Sequence, residues 1–408
     1  MNPTALDSFL EKHAIALPEP FDGARADPAL LAPLAGRLAD AEIVALGEMN
    51  HFVHEKSDFR LFLSRFLMTQ GWTDFAEELG WSDGVRIDRY LAEGDEGEFD
   101  RLPSFGYDGH LRGDRDDRPS GILKSDSYPT DAFVAEQKRF YRGVRERALR
   151  LGVRPRVAGI DIDGLPGGSY EDVAALLDAN AVGGDAFLAA LARVPNETAT
   201  EEAERLRRAL ALAPPDWPFC ITESVRALSE SLEYISRTYT AKSYEEVRPG
   251  MAFREGAIKR RLGAAQQLLG TDRLIVMAHA LHLAKDDSAV RAPGAGVGPG
   301  GNRVSSLGHW LACEQKKKVF SVWFLYGSGE DNQPMANLPR RADYPAGSLN
   351  TLLMRYGRPL VFLTGDAPEL FGGPCLIGHI YNAVFETPLA VQADAVLYIP
   401  RVTPLRIS

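Results

Sequence analysis

Leu46-Gly-Glu-Met-Asn-His-Phe-Val-His-Glu55 is the stretch on which the reading of this chain turns. An apolar run over 42–47 precedes it and predicts a buried strand, and Asp58-Phe-Arg-Leu-Phe-Leu-Ser-Arg-Phe-Leu67 follows it with the pattern of an amphipathic helix over 54–70. Glu48 and His51 therefore stand where a strand ends and a helix begins. In open α/β sheets this is where ligand chemistry is placed.

The same strand-then-helix alternation recurs outward. Further strands are expected at 73–79, 156–162, 273–278 and 319–326, with helices at 82–93, 131–151 and 304–315. Gly152 is the expected cap of the 131–151 helix. Residues 1–40 read as two short helices. Alternating elements with unbroken apolar strands predict an α/β fold, a mostly parallel sheet flanked by helices. Residues 170–270 are helical in pattern throughout, broken at Pro214-Pro215, and read as a helical insertion or subdomain. The expected division is thus 1–165 for the first part of the α/β core, 166–270 for the helical subdomain, and 271–408 for the rest of the core with a small mixed C-terminal portion. Residues 94–130 form a long polar loop, whose Tyr107, Arg112, Arg115 and Arg118 read as solvated.

Composition excludes some functions. The net charge of −10 over 408 residues argues against a nucleic-acid partner. Three separated cysteines, Cys220, Cys313 and Cys375, support neither a disulfide framework nor a Cys-rich metal site. The N-terminus lacks the pattern of a secretory signal, no apolar run is long enough to cross a membrane, and the expectation is a cytoplasmic protein without a membrane partner. There is no Walker A or Rossmann glycine pattern, so no nucleotide cofactor is indicated. A GxSxG elbow is missing too, and Gly327-Ser-Gly329 reads as a turn, which leaves a serine nucleophile unsupported.

Four strand ends carry ionisable groups: Glu48 and His51; Glu77 and Glu78, with Arg86 in the next helix; Asp161 and Asp163; His279 and His282. In a parallel sheet these ends point one way, so convergence on one cleft is expected. Histidine beside a carboxylate suits general-base work. The competing reading is zinc, held by Glu48, His51, His279 and His282, although their order does not match HExxH. Arg60 and Arg86 read equally well as surface ion pairs or as cleft residues. His54 reads as a surface residue.

Gly47-Glu-Met-Asn-His51-Phe-Val-x-Glu55 resembles the GExxHFxxE signature of the erythromycin esterase family. Phe75-Ala-Glu-Glu78-Leu-Gly80, Gly159-Ile-Asp161, Phe253-Arg-Glu255-x-x-Ile258, Ala278-His-Ala-Leu-His282 and Gly308-His-Trp-Leu resemble its later motifs in order, with Glu255 for Asp, Ile258 for Met and Ala280 for Asn. The likeness runs from about residue 42 to 326. It implies a hydrolase that opens a macrocyclic lactone with water, without a covalent intermediate, an obligatory metal or a cofactor. It further implies His51 as base, assisted by Glu48, Glu78 and His279 or His282. Arg60, Arg86, His282, Glu55 and Asp161 are expected to contact the substrate.

Overall fold

The computed structural model describes residues 1–100, 130–162, 190–191, 194, 197–213, 217–238, 244–291, 304–332, 341–379 and 382–406. The chain folds as two compact units: Met1–Phe75, Asp131–Pro155 and Asp272–Ser408 form the first, and Ala76–Thr130 with Arg156–Thr271 the second. Strands among the described residues are β1 (Ile15–Ala16), β2 (Ile43–Glu48), β3 (Asp74–Gly80), β4 (Arg156–Asp161), β5 (Leu274–His279), β6 (Val319–Glu330), β7 (Arg341–Ala342), β8 (Leu360–Leu363), β9 (Pro374–Gly378), β10 (Val384–Pro388) and β11 (Ala395–Val402). The fold is α/β, with a mostly parallel sheet flanked by helices.

In the first unit the sheet order is β1-β8-β11-β6-β2-β5. β2 lies parallel to both β5 and β6, and β6 parallel to β11, while β8 and β1 join antiparallel at one edge. All six residues of β2 are buried, as are all six of β5. Covering both faces of a strand produces unbroken apolar runs such as Ile43-Val-Ala-Leu46. Each fully buried Ile, Leu or Val side chain contributes about 1.5–3 kcal/mol.

The helix Glu55–Thr69 follows β2, with Glu55 and Asp58 in its first turn, where the helix dipole favours acidic groups. It is not the half-solvated helix its pattern suggests. Lys56, Ser57, Asp58, Arg60 and Ser64 are buried along with the apolar face. Its polar side meets the helix Thr130–Leu151. Arg139 donates to Asp58 at 2.7 Å, and His54 Nδ1 lies 2.5 Å from Glu136 Oε1. His54 is therefore a buried residue of an ionic network, not a surface one. Gly152, at φ +66°, ends the Thr130–Leu151 run as expected.

The C-terminal portion completes the sheet through β8 and β11, and β9 pairs with β10 as a small separate antiparallel sheet. Gly327-Ser-Gly329 is not a turn. β6 continues through it because β11 pairs opposite, Arg401 with Ser328 and Val402 with Gly329. In place of one helix over 304–315 there is a short turn, Leu307–His309, capped by Ser306, and then a π-helical turn, Trp310–Glu314.

In the second unit β3 pairs with β4. A Cβ on Gly159 would lie 1.9 Å from the Gly80 carbonyl oxygen, and one on Gly84 would lie 2.1 Å from the Gly159 nitrogen. Only glycine lets these backbones approach so closely. Among its described residues the helical stretch holds the helices Ala199–Leu212, Phe219–Thr238 and Tyr244–Leu269. Ala203, Leu206, Ala209, Val225, Leu228 and Leu232 form an apolar cluster there. Tyr107, Arg112, Arg115, Arg118, Asp163 and Pro214-Pro215 lie outside the described residues. Among the described residues no helix is long and apolar enough to cross a membrane.

Candidate active site

Pairing of β2 with β5 sets Glu48 opposite His279. A carboxylate and an imidazole thus arrive side by side at the carboxyl edge of the first unit's sheet. A Cβ on Gly47 would stand 3.0 Å from Trp323 Cδ1 and 3.1 Å from Ala280 Cα, so the strand end leaves little room for a side chain there. After Glu48 the chain turns. Asn50 Oδ1 accepts from the Phe52 N–H at 2.8 Å, and Asn50 Nδ2 donates to the buried Asp331 at 2.9 Å. The turn brings His51 back over Glu48, Nδ1 to Oε1 at 3.0 Å. The other carboxylate oxygen accepts from Arg60, Nη2 at 2.7 Å and Nε at 3.2 Å.

Burial alone would push the Glu48 carboxyl up. The Arg60 guanidinium, the hydrogen bond from His51 and the charge of Lys56 outweigh it and hold the group at about 2. Glu48 is then an anion at neutral pH and can only accept. His51 Nδ1 must carry the proton it donates, which leaves Nε2 as the basic nitrogen of a side chain 23% exposed. His279 has the opposite tautomer. Its Nδ1 accepts from the Leu281 N–H at 3.2 Å, so the neutral ring carries its proton on Nε2. The two rings lie 5.1 Å apart between centroids. One offers a base and the other a donor.

The second unit holds another arginine–carboxylate cluster. Arg254, on the helix Tyr244–Leu269, donates through Nε to Asp161 Oδ1 at 2.9 Å and through Nη2 to Glu78 Oε1 at 2.9 Å, and it also grips Asp161 Oδ2. Asp161 Oδ1 accepts in addition from the Ile162 N–H at 2.8 Å. All three side chains are buried.

By sequence the chain matches no family model and no curated protein. By structure it is similar to a crystal structure of a Bacillus cereus protein, with 16% identity, a TM-score of 0.70 and coverage of 100% of each chain. It is similar to a succinoglycan biosynthesis protein at 16% identity and a TM-score of 0.68, covering 100% of this chain and 99% of that one. It is also similar to the erythromycin esterase EreC, crystallised as a histidine-to-asparagine mutant in its open conformation. That likeness has 16% identity and a TM-score of 0.62, and covers 97% of this chain and 99% of the other. The fold is erythromycin esterase-like.

Within this erythromycin esterase-like fold the expected site residues fall into groups. Glu48, His51, Arg60 and His279 come together in the first unit, and Glu78 with Asp161 in the second. Arg86 is buried in the helix Trp81–Glu93. His282 donates its backbone N–H to the His279 carbonyl at 2.9 Å, and its own carbonyl accepts from Gly308. Glu55 is held by Thr403, both oxygens accepting at 2.8 Å from its N–H and hydroxyl. Among the described residues no group of three His, Cys, Asp or Glu side chains is placed to hold a metal ion. The set Glu48, His51, His279 and His282 is thus not arranged as a zinc site, and a guanidinium already occupies Glu48.

Two residues have partners that the local sequence does not show. Arg254 lies within the Phe253–Ile258 motif, but its carboxylate partners lie 93 and 176 residues away. His379 lies outside every motif, and its ring is 5.9 Å from that of His279. The one available signal was a histidine after a short apolar run, Cys375-Leu-Ile-Gly378.

Proposed function

We propose that this chain is a carboxylic ester hydrolase that activates water by general-base catalysis and opens the lactone of an erythromycin-type macrolide, an activity that confers resistance. The carrying observation is the Glu48–His51 pair, an anion at 3.0 Å from Nδ1 that leaves Nε2 free to take a proton. The likeness to EreC supports the choice of substrate.

In this reading His51 Nε2 removes a proton from water as its oxygen attacks the ester carbonyl. His279, with its proton on Nε2, donates to the developing oxyanion. The ring C–O bond then breaks, and the alkoxide takes up a proton to give acid and alcohol. Glu48 holds the tautomer of His51 and stabilises the imidazolium, and Arg60 holds Glu48. General-base catalysis of this kind contributes about 10²–10⁴-fold.

Incubation with macrolides of different ring size tests the reading. A product heavier by one water, absent with His51→Ala, is the expected result. An unchanged panel would rule out macrolide hydrolysis. The likeness to a succinoglycan biosynthesis protein favours a second reading, an ester carried on a carbohydrate. Acylated oligosaccharides in the same panel separate the two.

A further inference from the structure

The hydrolase reading leaves open which ring protonates the departing alkoxide. The proton can come back from the His51 imidazolium or from another ring, and a separate acid lets His51 stay on the water. The first unit places a third imidazole beside the pair. His379 follows β9 and is half-buried, and its ring lies 5.9 Å from His279 at 72°. The His279 ring thus neighbours both other imidazoles, at 5.1 Å from His51 and 5.9 Å from His379.

A second feature fixes the backbone that carries His379. The His379 backbone N–H donates to the Ala383 carbonyl at 2.9 Å, and the hydroxyl of Tyr344 reaches the His379 carbonyl oxygen at 3.3 Å. The hydroxyls of Tyr344 and Tyr326 are hydrogen-bonded at 2.6 Å, and Tyr326 is hydrogen-bonded to Asn50, the neighbour of His51. Burial pushes both phenols upward, so both stay protonated. Asn50 is itself tied to Asp331. A buried polar chain therefore runs from the turn that carries His51 to the backbone that carries His379. Such a chain sets the separation of two groups that act on one substrate.

We propose that His379 is the general acid of this site, donating a ring proton to the leaving alkoxide oxygen as the ester C–O bond breaks, with Tyr344, Tyr326 and Asn50 as positioning residues. The adjacency of His379 to His279 supports this assignment. Water stands within hydrogen-bond reach of His51, about 2.6–3.2 Å, and the carbonyl carbon lies about 3–3.5 Å beyond it. With His279 at the carbonyl oxygen, its neighbour His379 is the imidazole assigned to the leaving oxygen. The step balances. His51 gains a proton from water, His379 gives one to the alkoxide, and transfer through solvent restores both.

This inference rests on the hydrolase reading, and leaving-group dependence separates the two. Wild type and His379→Gln are assayed on p-nitrophenyl butyrate, whose phenolate leaves without a proton, and on ethyl butyrate and erythromycin, whose alkoxides need one. The expected result is a fall in kcat of about 10²-fold or more on the two alkyl esters and less than about 3-fold on the aryl ester. Tyr344→Phe should give the same selectivity with a smaller loss, and it decides the matter if His379→Gln does not fold. Equal losses on all three esters, or none, would overturn the role of His379 while leaving the hydrolase intact. A wild-type chain inactive on every ester would overturn both.

Discussion

The two arginine–carboxylate clusters use the same residue types for different ends. In the first unit Arg60 takes one oxygen of Glu48 and leaves the other to His51, whose side chain is partly exposed. In the second unit Arg254 is shared between Asp161 and Glu78, with all three side chains buried. A titratable ring with an open nitrogen is what turns a buried ion pair into a candidate for chemistry. An arginine spread over two carboxylates instead ties β3, β4 and the helix Tyr244–Leu269 together. We propose a stabilising role for it, and removing one partner of such a cluster costs far more than the intact cluster contributes.

This contrast can be broken most sharply at His51. His51→Ala should lower kcat by about 10²–10⁴-fold while circular dichroism and the melting temperature stay close to wild type. Near-wild-type turnover would remove the chemistry from the first cluster. At Arg254 the pattern should reverse. Arg254→Ala leaves two buried carboxylates without their cation and should cost about 3–5 kcal/mol in urea unfolding, with turnover per folded molecule nearly kept. A collapse of kcat with unchanged stability would show that the second cluster does chemistry as well.

Acid titration sharpens the first cluster further. The folded carboxyl of Glu48 lies below its ordinary value of 4.5, at about 2, so its contribution is fully present above about pH 4.5 and is lost as pH falls toward 2. Wild type should lose roughly 3 kcal/mol from this group across that window. Glu48→Gln should show a correspondingly flatter acid limb in stability-versus-pH measurements, whatever its stability at neutral pH. Identical limbs would mean that Arg60 and His51 do not hold Glu48 as an anion. The smallest effect belongs to Glu55. Thr403→Val removes one of its two hydrogen bonds and should cost about 1–3 kcal/mol in the same unfolding measurement, without changing kcat. A loss of activity there would bring Glu55 back to the substrate.

Local patterns carry local structure, and so much of this fold is legible in the chain. Ile43-Val-Ala-Leu46 and Leu274-Ile-Val-Met277 read as buried strands because strands covered on both faces must be apolar at every position. Glu48 and His51 were legible as a candidate pair because three residues across one turn suffice to join them. His54 was misread because nothing nearby in sequence shows that Glu136, 82 residues on, will meet it. The Gly327-Ser-Gly329 segment was misread for the same reason, since its ladder partner β11 lies about 70 residues later in the chain.

What the sequence determined by itself is therefore the five strands that start at about 42, 73, 156, 273 and 319, the longer helices between them, and the Glu48–His51 pair, properties that depend on neighbours within a few residues. The tautomers of His51 and His279, the depressed carboxyl of Glu48, the locking of Glu78 and Asp161 by Arg254 and the place of His379 were decided only by the tertiary structure. The partners of His51, His279 and Glu48 lie 2 to 12 residues away, but only the folded turns set their distances; the partners of Arg254 lie 93 and 176 residues away and meet it only in the folded chain.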